Sequence, residues 1–191
     1  MNPSMWGFCP TLPPAARRRL PWSGLCRHVA RVTLDAMLDY GTIAAFLDSG
    51  VSMVGASAND ELVPEAFRMW GASLGEGGVL RALVSSDAAQ TFEHLQEGTL
   101  LCMTFTDVLN LRSMQVKGRS VGAVEPPGPA DLADTERYYE LLRPKSRQNG
   151  TPPALLEAIR PRSVFVVSIV VDEAYDQTPG PLAGRPLEEC Q

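Results

Sequence analysis

The stretch of this sequence most able to do chemistry is "LRSMQVKGR", Leu111 to Arg119. Side chains alternate along a β-strand. Arg112, Met114, Val116 and Gly118 therefore share one face, and Leu111, Ser113, Gln115, Lys117 and Arg119 share the other. Met and Val on one side with Ser, Gln and Lys on the other is the pattern of a half-buried strand. Its polar side faces either water or a ligand that takes a row of hydrogen-bond donors. Nucleophilic and metal chemistry find little footing. The cysteines (Cys9, Cys26, Cys102 and Cys190) have no CxxC or Cys/His spacing, and His28 and His94 are the only histidines. No Ser/His/Asp or Cys/His constellation has its members in the globular region apart from His94, which reads as a surface or half-buried helix residue. Carboxylates gather in helical first turns and in the tail, not as a glycosidase-like pair. No catalytic residue is assigned and no metal site is expected.

The elements that must position this strand follow from periodicity and breakers. Strands are predicted over 51–58, 62–74 and 79–85, joined by the turns "ND" and "EGG". Residues 86–98 are predicted as a helix capped by Ser86 or Asp87, with Ala88, Phe92 and Leu95 as its apolar stripe and Gly98 as its stop. Strands 99–106, 112–125 and 163–171 complete the set. Cys102, inside "TLLCMTF", reads as a small core residue, and Trp70 as core or interface. Further helices are predicted over 34–48, in two pieces broken at Gly41 with Thr42 as N-cap, and over 129–147 and 151–159. In the 129–147 helix Pro129 suits N1, Asp131 and Asp134 sit in the first turn, and Arg143, Lys145 and Arg147 in the last. Six strands in hairpin order with flanking helices predict a mainly β, α+β fold, a small closed or partly open antiparallel barrel.

The chain has 191 residues, 45% hydrophobic and 20% charged, with a net charge of −5. Residues 1–34 hold five arginines and no acid, which leaves the remainder near −10. An acidic body lacks the basic footprint that nucleic acid requires. No apolar run approaches the roughly 20 residues of a membrane span, so neither a nucleic-acid partner nor a membrane is expected. Scattered cysteines point to a reducing, cytoplasmic protein. Residues 1–32, rich in Pro, Arg and Trp and without period, read as a disordered or mis-assigned N-terminal extension with Met37 an alternative start. Residues 33–175 read as the folded domain and 176–191 as an irregular tail. "SVFVVSIVV" and "RMWGASL" carry more apolar surface than one small barrel covers, which predicts a homodimer.

Three stretches carry a resemblance. "VSMVGASANDELVPEAFRMWGASL" is similar to the first hairpin of the pyridoxamine 5′-phosphate oxidase-like superfamily, with a Pro after the turn and an Arg on the second strand. "FEHLQEGTLLCMTFT" looks like that family's short helix and core strand, and "LRSMQVKGR" like its later strand. "YDQTPGPLAGRPL" resembles the ending of an uncharacterised bacterial branch. The likeness spans residues 42–185. It implies the six-stranded antiparallel split β-barrel of Greek-key type, a homodimer, and FMN in a groove between subunits. Carried over residue by residue, it implies phosphate contacts from Arg68 and from Ser85 and Ser86 at the helix mouth. Arg112, Ser113, Gln115 and Lys117 would contact the ring and ribityl chain. A helix N-terminus is suited to an anion, and an Arg fork to phosphate oxygens.

The chain departs from the family in two places. Asp87, Ala88 and Ala89 stand where members commonly place Arg and Lys, and there is no Arg-x-His pair near the C-terminus. The resemblance therefore implies an FMN-binding oxidoreductase-like protein that does not oxidise pyridoxamine phosphate, its substrate unassigned. The alternatives are a flavin-free homodimeric interaction module, or the same fold binding deazaflavin or haem. Haem needs an axial His, Cys or Tyr, and deazaflavin a strongly basic groove.

Overall fold

A computed structural model describes residues 38–59, 61–88, 95–122, 124–161 and 163–187, all within one unit, Ala36–Gln191. The readings of residues 1–32, of the helix between Ala89 and His94, of Phe92 and of Cys190 lie outside the described residues.

Six strands form the barrel: β1 (Ser52–Ala58), β2 (Pro64–Leu74), β3 (Val79–Ser85), β4 (Leu100–Thr106), β5 (Ser113–Ser120) and β6 (Val164–Asp176). The sheet runs β3-β2-β1-β4-β5-β6, all antiparallel, and a β3–β6 pairing closes it. This is the six-stranded antiparallel split β-barrel expected from the sequence, mainly β with flanking helices. Alternation divides it cleanly. Met53, Phe67, Met69, Leu80, Val84, Leu101, Met103, Phe105, Met114 and Val116 are all buried in one core cluster. Gly55 and Gly118 fall on the same inward positions.

β6 is longer than its apolar run suggests. Its first half pairs with β3, from Val79↔Val170 to Ser85↔Val164. Its second half pairs with β5, from Ser120↔Ile169 to Met114↔Asp176. The acidic "DEAYD" at 172–176, beyond the strand expected over 163–171, continues it, with Asp172 and Glu173 exposed and Ala174 buried. A short β7 (Arg185–Pro186) then pairs with β6, so part of the segment read as irregular is strand. β6 can serve two neighbours because of a register shift between Lys117 and Gly118. A Cβ on Gly118 would lie 2.0 Å from the Val170 carbonyl oxygen.

Three helices are described. α1 (Tyr40–Leu47) buries Ile43, Phe46 and Leu47 in the core cluster. It passes through Gly41, while residues 34–37 of the expected first piece lie outside the described residues. Its N-cap is Asp39, whose carboxylate accepts from the Thr42 amide at 2.8 Å and from the Thr42 hydroxyl. Gly41 sits in the first turn, where amides have no intrahelical acceptor to lose, so it does not break the element. α2 (Pro129–Gln148) lies across the outside of β2, and α3 (Pro153–Ala158) follows it. The α2 start is fixed by Asp131, which accepts from the Gly128 amide at 2.9 Å and from Arg81 of β3 at 3.1 Å. Further along, Arg137 reaches Asp48 at 2.7 Å and Lys145 reaches Asp107 at 2.7 Å, tying the helix to the segment before β1 and the segment after β4, which meet at one end of the barrel. β2 bends beneath α2 through a register shift between Met69 and Ala72. Gly71 holds φ +141° there, with the Asp134 carbonyl 3.5 Å from where its Cβ would be, a backbone position open to glycine and strained for other residues. None of the described helices is long and apolar enough to cross a membrane.

Barrel closure at Gly118 has a measurable consequence. Gly118→Ala drives a methyl into backbone that has no side-chain freedom to yield. We expect a loss of about 2–4 kcal/mol, read as a drop in thermal midpoint of several degrees or more, roughly 2–4 °C for each kcal/mol in a chain of this size. An unchanged midpoint would mean that β6 does not cross β5 this closely.

Candidate functional site

The outward residues of the sheet form transverse rows. Register pairs Arg68 with Val54, Val54 with Thr104, Thr104 with Gln115 and Gln115 with Tyr175. One step beyond Met69↔Val84, Arg68 faces Ser85. Ser85, Arg68, Val54, Thr104, Gln115 and Tyr175 thus lie in one row on the outer face. From Arg68 to Gln115 is three strand spacings, roughly 14 Å along the sheet. The row below runs Ser113, Thr106, Ser52; the row above runs Glu173, Lys117, Cys102, Ala56, Ala66. Cys102 is therefore an outward, half-buried residue and not the core residue its apolar surroundings suggested, because Leu101 and Met103 take the inward positions. Burial pushes its thiol above the ordinary value, with Lys117 opposing.

The polar end of this face is internally bonded. The Gln115 amide donates to Thr104 Oγ1 at 3.3 Å, and Gln177 donates to Gln115 Oε1 at 3.5 Å. Ser113 Oγ donates to the Leu111 carbonyl at 3.1 Å and lies 2.9 Å from Thr106 Oγ1. Lys117 Nζ sits 3.4 Å from Glu173 and 4.6 Å from the Tyr175 ring centre, so its charge is largely compensated. Next to these residues the face is apolar and open. Val54 is 45% exposed and Leu100 57%, and Ala58, Pro64 and Ala66 are also exposed.

Arg68 differs from the other cations. Its guanidinium lies over the Trp70 ring, 4.7 Å from the centroid. Its Nε is buried with no hydrogen-bond partner, and among the described residues it makes no ion pair. Trp70 itself is 2% exposed and meets Tyr138 of α2 edge-on, with centroids 6.3 Å apart. The indole is thus core beneath α2 and supports Arg68 from below.

The other expected residues fall in different places. Ser85 Oγ donates to Asp87 Oδ2 at 3.2 Å and accepts from the Asp87 amide at 3.3 Å. Ser86 Oγ accepts from Ser163 at 2.7 Å. The described start of the expected helix, Ser86–Asp87, is a turn. Arg112 lies apart from the row. It precedes β5 and sits 5.5 Å from the Phe46 ring centre in a cleft lined also by Ser113, Asp176, Thr178 and Leu187. Asp176 is held below the ordinary carboxylate range by the Thr178 hydroxyl and amide, with Arg112 adding to the shift. So the fold gathers Arg68, Ser85, Ser113, Gln115 and Lys117 on one face, with Ser86 at its margin and Arg112 elsewhere. Thr104, Tyr175 and Tyr138 are neighbours that sequence reasoning missed. Alternation in "TLLCMTFT" could have found Thr104; nothing local marks the two tyrosines.

No family model and no curated protein matches the chain. Similar solved structures include HupZ of Group A Streptococcus (17% identity, 75% of this chain and 98% of that one, TM-score 0.45). An F420 reductase is also similar (16%, 68% and 93%, 0.45). So is a pyridoxamine 5′-phosphate oxidase-related, FMN-binding protein of Nostoc punctiforme (13%, 75% and 85%, 0.38). Likenesses this distant say nothing about what this chain binds.

The contrast between Arg68 and Arg81 can be measured. Arg81 bonds Asp131 and lies 3.7 Å from Glu125, whereas Arg68 has no carboxylate partner among the described residues and its Nε is buried without a hydrogen bond. Arg68→Met replaces that donor with apolar volume and should leave the thermal midpoint unchanged or raised, since an unsatisfied buried group costs about 1–3 kcal/mol. Arg81→Met should lower it by stranding Asp131. If both variants fall equally, Arg68 has a partner in the folded chain.

Proposed function

We propose that this chain is an FMN-binding, oxidoreductase-like protein that acts as a homodimer, with the ligand on the outer face of β2, β1, β4 and β5. The observation that carries the reading is the unpaired, half-buried guanidinium of Arg68 at one end of a row that ends in hydrogen-bonding amide and hydroxyl groups. A buried donor without an acceptor is uncommon in a native fold and calls for a partner; a phosphate monoester supplies one with the charge and geometry an Arg fork suits. Toward the other end, Thr104, Gln115 and Ser113 offer donors and acceptors for a ribityl chain or the polar edge of a ring. Lys117 and Tyr175 border the same surface. Val54 and Ala56 between them give an apolar floor, the mixture expected of a cofactor site.

Bound there, a flavin would supply the electron-transfer chemistry. The chain's own residues would hold the phosphate at Arg68, orient the ring through Gln115, and exclude water with the apolar strip and a second subunit. That strip is what favours the dimer. "RMWGASL" and "SVFVVSIVV", whose apolar content suggested association, are largely covered within the chain by α2 and by the barrel core, with Val170 40% exposed. Val54, Leu100, Ala58, Pro64 and Ala66 remain as an open sheet face. A second reading, a flavin-free homodimeric module, is favoured by one observation. The hydroxyl of Ser85 is engaged by Asp87, a carboxylate that would repel a phosphate.

Two measurements test the proposal. FMN should bind far more tightly than riboflavin, which shares the ring and lacks the anion. One or two charge-assisted bonds at about 1.5–3 kcal/mol each give roughly ten- to several hundredfold or more, read by quenching of flavin fluorescence on titration. Equal affinities, or no binding of either, would sink the phosphate role and leave the module. Light scattering at micromolar concentration should give twice the chain mass, and a monomer would remove the second subunit from the site.

A further inference from the structure

Among the described residues three buried side-chain polar atoms have no hydrogen-bond partner: Glu65 Oε2, Arg68 Nε and the Tyr138 hydroxyl oxygen. Two of the three belong to one assembly. Arg68 covers the face of Trp70 at 4.7 Å and Tyr138 meets that same ring edge-on at 6.3 Å. The assembly joins two elements distant in sequence, since Arg68 lies on β2 and Tyr138 on α2. It also lies at the border of the open face, for Val54, cross-strand from Arg68, is 45% exposed.

The chemistry of the two groups is complementary. A guanidinium only donates, while a phenol hydroxyl both accepts and donates. Tyr138 can therefore accept from Arg68 and pass a donated hydrogen bond onward, and the group that fits beyond it is an acceptor carrying negative charge. Tyr138 is 4% exposed, its hydroxyl oxygen lies beside the Arg68 side chain and the Met53 backbone amide, and its own proton has no acceptor among the described residues, a costly burial when phenylalanine would fill the same space. Its hydroxyl stays protonated and able to donate, because burial pushes its pKa up to about 12 against the opposing pull of Arg68. The helix-mouth serines are less free to serve, being bonded to Asp87 and Ser163.

We propose that Tyr138 is a specificity-determining residue of this site, its hydroxyl donating to the same ligand oxyanion that Arg68 binds, so that α2 supplies the second donor of the anion subsite. In identifying that oxyanion with a flavin phosphate, the proposal rests on the reading given above; the role of Tyr138 toward an oxyanion does not.

Tyr138→Phe removes the hydroxyl and keeps the ring against Trp70. Tyr139→Phe, which deletes a hydroxyl donating to Glu157 at 2.7 Å, is the control for a neighbouring phenol outside the site. Three probes are titrated into each protein: FMN, riboflavin and inorganic phosphate, the last followed by the rise in melting temperature that binding to the folded state produces. Tyr138→Phe should weaken FMN about tenfold or more, leave riboflavin unchanged, and abolish the phosphate-induced rise, while Tyr139→Phe changes none of these. If wild type binds FMN and Tyr138→Phe binds it equally well, the role of Tyr138 is overturned and the flavin reading stands. If neither flavin binds but phosphate stabilises wild type and not Tyr138→Phe, the flavin reading falls and the oxyanion role stands. Binding of no probe, or equal loss of FMN and riboflavin in Tyr138→Phe, overturns the proposal.

Discussion

The arrangement of this protein depends on one close crossing. β6 must pair with β3 along its first half and with β5 along its second, and it passes Gly118 so closely that the Val170 carbonyl takes the space of a side chain. That passage closes the barrel, and closure makes the inside and outside of every strand unambiguous. In an open sheet a one-residue slip exchanges the two faces. Here the register is held on both sides of each barrel strand, so Ser113, Gln115 and Lys117 are committed outward and Met114 and Val116 inward.

The outer surface is then divided by α2. The helix is anchored at its start by Arg81 and Asp131 and further along by Arg137 with Asp48 and Lys145 with Asp107. It covers Trp70 on β2 and leaves Val54 and the upper half of β1 open. The candidate site lies on that border. It has an apolar floor because β1 presents small side chains outward, Ala56 and Ala58 beside Val54, and a polar margin because β4 and β5 present Thr, Ser and Gln. Arg68 stands where covered and open surface meet, which explains how a guanidinium can be supported by an indole and still have an unsatisfied donor beside exposed sheet.

Electrostatics sharpen that picture. Most cations of the described chain have carboxylate neighbours, as expected of an acidic body: Arg81, Lys117, Arg137, Arg143, Lys145 and Arg160 all make ion pairs. Among the described residues Arg68, like the exposed Arg112, Arg147 and Arg185, makes no ion pair, and of these four it alone is half-buried. Unlike the exposed pairs, whose individual worth is small, its half-buried position makes the missing acceptor consequential.

Local pattern alone determined much of the molecule. Alternation and, for "SVFVVSIVV", an apolar run on both faces located the six barrel strands, and the polar face of "LRSMQVKGR" was legible from the strand period without any knowledge of neighbours. Pro129 at N1 and Asp131 in the first turn marked α2. Local pattern went wrong where a tertiary partner outweighed it. Cys102 sits in an apolar run yet faces outward, because Leu101 and Met103 claim the interior. "DEAYD" lies beyond the apolar run and is strand, because β5 is there to pair with it. Gly41 looked like a break and lies in a first turn that tolerates it. What the sequence could not supply was adjacency. Ser85, Arg68, Thr104 and Gln115 come from four strands and share a row only through cross-strand register, while Arg112, one residue from Ser113, lies over Phe46. Tyr138 belongs beside Arg68 only because α2 folds back over β2, 70 residues further along the chain. Period fixes which face a residue occupies; only the closed sheet and its covering helix decide which residues meet there.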